Sequence, residues 1–203
     1  MALYALGDLH LSFQADKPMD VMGKVWKRHE RKIEKYVNRI VKPEDTLVLT
    51  GDHSWGRKLP ECEQDLAFIE NLPGRKILLR GNHDMFWDAK KTKQLNEIFK
   101  DRLFFLQNNF YAYKDYALVG AKGYTFEGPF YLDRRGRIVG WDEEREARAK
   151  KLVDREMGRL RESFCQAKTA GYKKFIMFLH YPPTNIMEQT SPFTEIAEEN
   201  HVT

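Results

Sequence analysis

Short apolar runs rich in β-branched and aromatic residues alternate along this chain with longer stretches of helical periodicity. Apolar residues at three- and four-residue steps predict helices at about 20–41, 60–72, 88–100 and 142–169. The short runs predict strands at 2–6, 46–50, 76–80, 103–106, 109–113, 116–120 and 174–179. Alternation of strand and helix is typical of a layered α/β fold. The closely spaced strands from 103 to 120 indicate antiparallel additions, so a mixed sheet is expected.

The composition indicates a globular protein with a hydrophobic core. The 203 residues, of which 42% are hydrophobic and 32% charged, suit one domain spanning 1–203. No stretch approaches the ~20 apolar residues of a membrane span, and the first six residues resemble a strand and not a signal peptide. We therefore expect no membrane partner.

Charge and cysteine content narrow the expected compartment and partners. The net charge of +4 is spread over 34 basic and 30 acidic residues, so nothing demands a nucleic-acid partner, and a nucleic acid is expected only as a substrate. Cys62 and Cys165 lie far apart in helical contexts, which is typical of structural thiols in a reducing compartment. A cytoplasmic location is therefore expected.

Four segments that follow predicted strands carry most of the polar residues capable of catalysis or metal binding. They are Gly7-Asp8-Leu9-His10, Gly51-Asp52-His53, Gly81-Asn82-His83-Asp84 and Leu179-His180-Tyr181. Open α/β sheets bind their ligands at the carboxyl ends of strands, so these segments are expected to converge there.

The converging side chains are ligands for divalent metals. Asp8 and His10, two residues apart, face the same side of an extended backbone and can bind one metal. Asp52 adds a carboxylate able to bridge two cations, Asn82 adds an amide oxygen, and His180 adds an imidazole. Oxygen and nitrogen ligands without thiolates favour Mn, Fe, Zn or Co. Two such cations ~3.5–4 Å apart stabilise the entering and leaving oxygens of a phosphoryl displacement.

Each segment alone also has a structural interpretation. A Gly-Asp after a strand is often a turn or a helix N-cap, and Asn-His-Asp can cap the following helix. His180 alone can be a hydrogen-bonded core histidine. Four such segments in order, holding four of the six histidines, favour a common site.

These segments resemble, in order, the signature blocks of the calcineurin-like metallophosphoesterases. Ser54-Trp55 and the string from His180 to Asn185 resemble a bacterial branch of predicted phosphohydrolases. The resemblance implies a sandwich of two mixed β-sheets flanked by helices, with two divalent metal ions, Mn foremost, at the strand ends.

The resemblance also implies a role for each matching residue. Asp8 and His10 would bind one metal, Asn82 and His180 the other, and Asp52 would bridge the two. His83 would protonate the leaving alkoxide, with Asp84 orienting and charging its imidazole.

Two features depart from the family pattern. The family carries a Gly-His-x-His block on a late strand, which the sequence up to Thr203 lacks. We therefore expect a C-terminally truncated chain without the last strands, with weak activity or none. His53 stands where an apolar residue is usual; it is either a hydrogen-bonded core histidine or a group next to the metal ligands.

The expected function is hydrolysis of a small phosphorylated substrate, a phosphomonoester or a phosphodiester. Asn82 is expected to hold the phosphoryl oxygens together with the metals. Lys122, at the start of the loop 122–126, is a further candidate phosphate contact, although an exposed lysine without such a role is the commoner case. The alternative function is a non-catalytic scaffold or binding protein of the same fold. The oligomeric state is not predicted.

Overall fold

A computed structural model describes residues 1–125, 130–135, 137–184 and 189–202 of the chain. The chain divides into two compact units, Met1–Gln107 and Asn108–Thr203. Each has its own sheet and its own cluster of buried apolar residues.

The first unit is built on a four-stranded parallel sheet. Its strands are β1 Leu3–Leu6, β2 Thr46–Leu49, β3 Arg75–Leu79 and β4 Leu103–Leu106, and its helices are α1 His29–Ile40, α2 Glu63–Asn71 and α3 Thr92–Ile98. The strands lie side by side in chain order. All four strands occur where the sequence predicted them.

The run 103–106 differs from expectation in its direction. It was predicted as the start of the antiparallel additions, but β4 pairs parallel to β3, with Lys76 opposite Leu103. The connection from β3 to β4 contains α3, and a crossover of this length allows parallel pairing. The first sheet is therefore parallel throughout.

Helix α1 is shorter than predicted, because the chain turns before it. The pattern predicted a helix from about residue 20, but two short 3-10 turns, Met19–Met22 and Lys24–Trp26, precede α1. Gly23 has φ 125° and Arg28 has φ 54°. Neither backbone conformation fits a right-handed helix, so the continuous helix begins only at His29.

The core of the first unit lies on both faces of its sheet. Residues of β2 and β3 are buried without alternation, which is typical of parallel strands covered on both sides. The largest fully buried side chains of this unit include Trp87, Phe105 and Leu66.

The second unit holds a mixed sheet and a separate hairpin. Strand β5 Tyr111–Tyr113 pairs antiparallel to β6 Tyr116–Ala121, which pairs parallel to β9 Lys174–Leu179. The antiparallel pair β7 Phe130–Leu132 and β8 Ile138–Trp141 was not predicted. The α/β class, with two main sheets flanked by helices, is confirmed.

Two helices complete the second unit. Helix α4 Glu143–Thr169 is where it was predicted and buries Val153, Leu160 and Phe164. Helix α5 Pro192–Glu199 was not predicted; Ser191 caps it by accepting hydrogen bonds from the backbone N–H of Phe193 and Thr194. Within the described residues, no helix is both long and apolar enough to cross a membrane.

Candidate metal centre

The loops that follow β1 and β2 continue the parallel pairing of those strands. The backbone N–H of Asp8 donates to the carbonyl of Gly51 at 3.0 Å, and that of His10 donates to the carbonyl of Asp52 at 2.9 Å. Leu11 and Ser54 form a further parallel bridge. This continued pairing brings Asp8, His10 and Asp52 to one edge of the first sheet.

Three predicted ligands share an unusual backbone conformation. Asp8, His10 and Asp52 have φ of 56°, 46° and 55°, in the left-handed region that disfavours residues with a Cβ. The expectation that Asp8 and His10 lie on an extended backbone is therefore wrong. Such conformations cost about 1–3 kcal/mol each and concentrate at functional sites, where the surrounding structure enforces them.

The side chains of these three residues nevertheless converge. Their candidate ligand atoms all lie within 4.8 Å of one another. The His10 Nε2 is 3.4 Å from Asp8 Oδ1 and 3.7 Å from Asp52 Oδ2. The Asp8 side chain is 61% exposed, whereas Asp52 is 3% exposed, so the group opens to solvent beside Asp8.

The donor set fits a divalent cation. Burial lowers the pKa of His10 and outweighs the opposing effects of Asp52 and Asp8, so the imidazole is neutral at neutral pH and has a lone pair to offer. Two carboxylates and a neutral imidazole suit a hard or borderline metal such as Mn or Zn.

The loop after β3 packs directly on the carboxylate of Asp52. The backbone N–H of His83 donates to Asp52 Oδ1 at 2.8 Å. A Cβ at position 81 would collide with the backbone nitrogen and Oδ1 of Asp52, so only glycine allows this approach. Asn82 lies between Gly81 and His83, which both contact Asp52.

His83 presents its ring on the solvent side of Asp52. The ring is 42% exposed, and its Nε2 lies 3.9 Å from Asp52 Oδ2. Its ring centroid is 5.5 Å from that of His10 and 4.3 Å from that of Trp55. A half-exposed imidazole can exchange a proton with a group that reaches it from solvent.

Asp84 contacts a different imidazole from the one predicted. Its Oδ2 accepts a hydrogen bond from His53 Nδ1 at 2.9 Å, whereas the ring of His83 lies by Asp52 and Trp55. The expectation that Asp84 orients the His83 ring is therefore not met. His53 is fully buried and hydrogen-bonded through Nδ1, in agreement with its interpretation as a hydrogen-bonded core histidine.

The Asp84 carboxylate ties together the loops that follow β2 and β3. It accepts the backbone N–H groups of Asp52 at 2.9 Å, His53 at 2.8 Å and Gly81 at 2.7 Å. Burial alone would raise the pKa of Asp84, but the charge of His53 and the hydrogen bonds from His53 and Gly81 lower it to about 2. We name this arrangement the Asp84 clamp.

Two tryptophans surround His10. Trp55 stacks on its ring with centroids 5.0 Å apart and planes 23° apart, and Trp26 meets it edge-on at 6.0 Å. Trp26 lies within the stretch 20–41, which was predicted to be helical from its apolar periodicity alone. Trp55 is close in sequence to the Gly-Asp block, but its stacking on His10 joins residues 45 positions apart and was not predicted.

Lys122 and His180 come together within the second unit. They follow β6 and β9, and the carbonyl of Lys122 accepts the backbone N–H of His180 at 3.1 Å and of Tyr181 at 2.9 Å. Lys122 is 7% exposed, with its Nζ 5.6 Å and 5.4 Å from the ring centroids of Tyr124 and Tyr181. It is therefore not the exposed lysine that was the commoner expectation. Phe126 and Asn185 lie outside the described residues.

Comparisons with known proteins identify one family and several similar solved structures. Residues 1–202 match the family described as calcineurin-like phosphoesterase. A search of curated proteins found no match. One similar solved structure, a protein of unknown function from Aquifex aeolicus, is 23% identical with a TM-score of 0.42, and the match covers 77% of this chain and 74% of that one. Another, the phosphopantetheinyl hydrolase PptH from Mycobacterium tuberculosis, is 14% identical with a TM-score of 0.47, over 96% of this chain and 73% of that one.

Proposed function

The chain belongs to the calcineurin-like phosphoesterases, a family of phosphoester hydrolases, and we propose that it hydrolyses a small phosphorylated substrate with two divalent metal ions. The observation that carries the proposal is the convergence of Asp8, His10 and Asp52, whose ligand atoms lie within 4.8 Å of one another. All three follow strand ends on backbone of positive φ.

We assign the metal ligands as follows. Asp8 and His10 hold one cation, and Asp52, whose carboxylate also accepts the His83 N–H, is shared with a second. Asn82 holds the second cation, and His180 joins it on the family resemblance alone. Bound cations would activate a water for attack and neutralise the phosphoryl oxygens. Oxygen ligands predominate in this set, which favours Mn²⁺ among the candidates.

His83 is the proposed general acid. Its backbone N–H is bonded to Asp52, and its ring is half-exposed beside the ligand group. The ring can therefore donate a proton to a leaving alkoxide while the backbone of His83 stays fixed. Lys122 is a proposed phosphate contact, supported by its burial among aromatic rings in the second unit. The Asp84 clamp holds the backbone of Asp52 and Gly81, and so supports the metal-binding role of Asp52 and the proton-donating role of His83.

Both cysteines are free thiols; Cys62 is buried and Cys165 is exposed. Free thiols persist in reducing compartments, and this supports our proposal of a cytoplasmic location.

The test is turnover of 4-nitrophenyl phosphate and bis(4-nitrophenyl) phosphate by protein stripped with a chelator and then titrated with Mn²⁺. We expect weak turnover to appear with Mn²⁺ and the ratio of the two rates to identify the protein as a monoesterase or a diesterase. Asp52→Asn should lower turnover by more than the ~10–100-fold typical of losing a group that only supports a ligand. The control is Asp115→Asn, which removes an exposed carboxylate paired with Lys174.

Two outcomes would overturn the proposal. Turnover that is insensitive to chelation would remove the metals from the reaction. No turnover of either ester with Mn²⁺, Fe²⁺, Zn²⁺ or Co²⁺, in a protein that still binds metal, would favour the non-catalytic scaffold.

A further inference from the structure

The positive charge of the chain is concentrated in one tract, Lys17–Lys42. This tract holds nine lysines and arginines against three acidic residues, a net charge of +6. The whole chain carries +4, so the remaining residues together carry −2. A local excess of this size in a chain of nearly balanced charge indicates a surface for a polyanionic partner.

The first half of this tract also exposes aliphatic side chains. Val21 and Val25 are each 81% exposed and Met22 is 68% exposed, and Lys24, Lys27 and Arg28 beside them are exposed as well. We call the segment Lys17–Arg28 the basic-apolar loop. Aliphatic groups left in water lose the stabilisation of burial, so a cluster of them among cations indicates a surface that becomes covered.

The basic-apolar loop is held in place by its other side chains. Met19 is 8% exposed, and its Sδ accepts the Trp55 Nε1–H at 3.3 Å. Trp26 packs edge-on against His10 and His29. The carbonyl of Val25 accepts the Lys32 Nζ at 2.6 Å. The outward position of the aliphatic residues therefore results from an inner face that is anchored on the first unit.

The same contacts place the loop at the candidate metal centre. Trp26 touches the ring of His10, and Lys17 lies with its Nζ 4.7 Å from the Trp55 ring centroid, on the ring that stacks on His10. A surface that covered the loop would lie next to the proposed catalytic residues.

We propose that the basic-apolar loop docks the protein on an anionic phospholipid bilayer. Lysine and arginine are attracted to anionic headgroups, and aliphatic side chains between them enter the boundary of headgroup and acyl chain. A nucleic acid fits less well, because bases stack on aromatic rings, and Trp26, the aromatic residue of the loop, is turned toward His10.

This inference goes beyond the proposed hydrolysis, because docking does not require turnover. It also departs from the expectation that no membrane takes part. That expectation rested on the lack of a spanning segment, and a loop that inserts only into the interface needs no such segment.

The experiment is co-sedimentation with vesicles of neutral phosphatidylcholine, alone or mixed with anionic phosphatidylglycerol, on the full chain. We expect binding to the mixed vesicles that weakens as salt is raised, and little binding to the neutral ones. Reversing the charges of Lys24, Lys27 and Arg28 to glutamate should lower the partition coefficient at least about 100-fold. Replacing Val21, Met22 and Val25 by serine should lower it about 10–100-fold while the salt dependence persists.

Matched variants elsewhere on the chain serve as controls. Ile138 and Val139 are 64% and 62% exposed on β8, and serine there should leave the partition coefficient unchanged. Reversing Arg148, Lys150 and Lys151 on α4 to glutamate changes the net charge by as much as the loop variant does and controls for net charge. All variants are compared by circular dichroism and by stoichiometric Mn²⁺ binding, which docking variants should retain.

Wild-type protein that fails to sediment with anionic vesicles would overturn the proposal, whatever the variants do. If the partition coefficient falls equally in the loop variants and in the controls, overall charge and not the loop determines vesicle binding. If the protein binds a single-stranded oligonucleotide through the loop and does not bind vesicles, the basic tract is assigned to nucleic acid instead.

Discussion

Replacement of Asp84 by asparagine tests the Asp84 clamp. The wild-type Oδ2 accepts three N–H groups, from Asp52, Gly81 and the His53 ring, and Oδ1 accepts the His53 backbone N–H. An asparagine has one oxygen, so its amide NH₂ must face at least one of these donors. The remaining hydrogen bonds are then made to a neutral acceptor and not to a charged carboxylate. Bonds to charged groups contribute about 1.5–3 kcal/mol and a buried unpaired donor costs about 1–3 kcal/mol. We expect Asp84→Asn to lower the free energy of unfolding by about 3–5 kcal/mol.

The assay is urea unfolding of metal-free protein followed by tryptophan fluorescence. Three of the four tryptophans, Trp26, Trp55 and Trp87, lie in the first unit, so the signal reports mainly on the unit that holds the clamp. The control is Asp88→Asn, because Asp88 accepts a single backbone N–H, from Lys90, and is exposed. It should change the free energy of unfolding by no more than about 0.5 kcal/mol.

Acid titration adds a second readout for the clamp. The pKa of Asp84 is lowered from 3.8 to about 2, so its contribution to stability is complete above pH 3.8 and is lost as the pH falls through about 2. The difference in unfolding free energy between wild type and Asp84→Asn should narrow by about 2 kcal/mol across this window. A destabilisation by Asp84→Asn no larger than that by Asp88→Asn, with no narrowing in acid, would refute the clamp.

Three further predictions test other parts of the account. Gly81→Ala should abolish stoichiometric Mn²⁺ binding in titration calorimetry, because the new Cβ collides with Asp52, whereas Gly158→Ala on α4, where a Cβ meets nothing within 4 Å, should raise the melting temperature. Iodoacetamide at pH 8 should alkylate the exposed Cys165 and spare Cys62, because burial raises the pKa of the Cys62 thiol to about 12 and leaves almost no thiolate, a result that mass spectrometry checks and that equal labelling would contradict. His83→Asn should slow turnover by about two to four orders of magnitude for poor leaving groups and less for acidic ones; equal losses across leaving groups would show that His83 binds metal or substrate instead.

Strands β1 to β6 and β9 were predictable because each is an apolar run that its own composition reveals, whereas the hairpin of β7 and β8 was missed. The direction of β4 was not predictable, because the spacing of 103–106 from the next strands suggested a hairpin, whereas the helical crossover before it allows the parallel pairing that is observed. Helix α5 was missed although Ser191, Pro192 and Thr194 form a recognisable helix start with a capping box.

The candidate site was predictable in its residues but not in its contacts. Position after a strand identified Asp8, His10 and Asp52, and the structure brings these three together. The partner of Asp84 was not predictable, because it is His53, 31 residues away in the chain, which follows a residue of positive φ, Asp52. Sequence spacing carries no information about such a backbone reversal at a non-glycine residue.

The most direct test of the central claim is anomalous diffraction at the manganese absorption edge from crystals grown with Mn²⁺. We predict one peak within coordinating distance of Asp8, His10 and Asp52, and a second about 3.5–4 Å away that shares Asp52 and is bound by Asn82. Well-ordered crystals with no peak at these residues, or with manganese bound only elsewhere on the chain, would contradict the account.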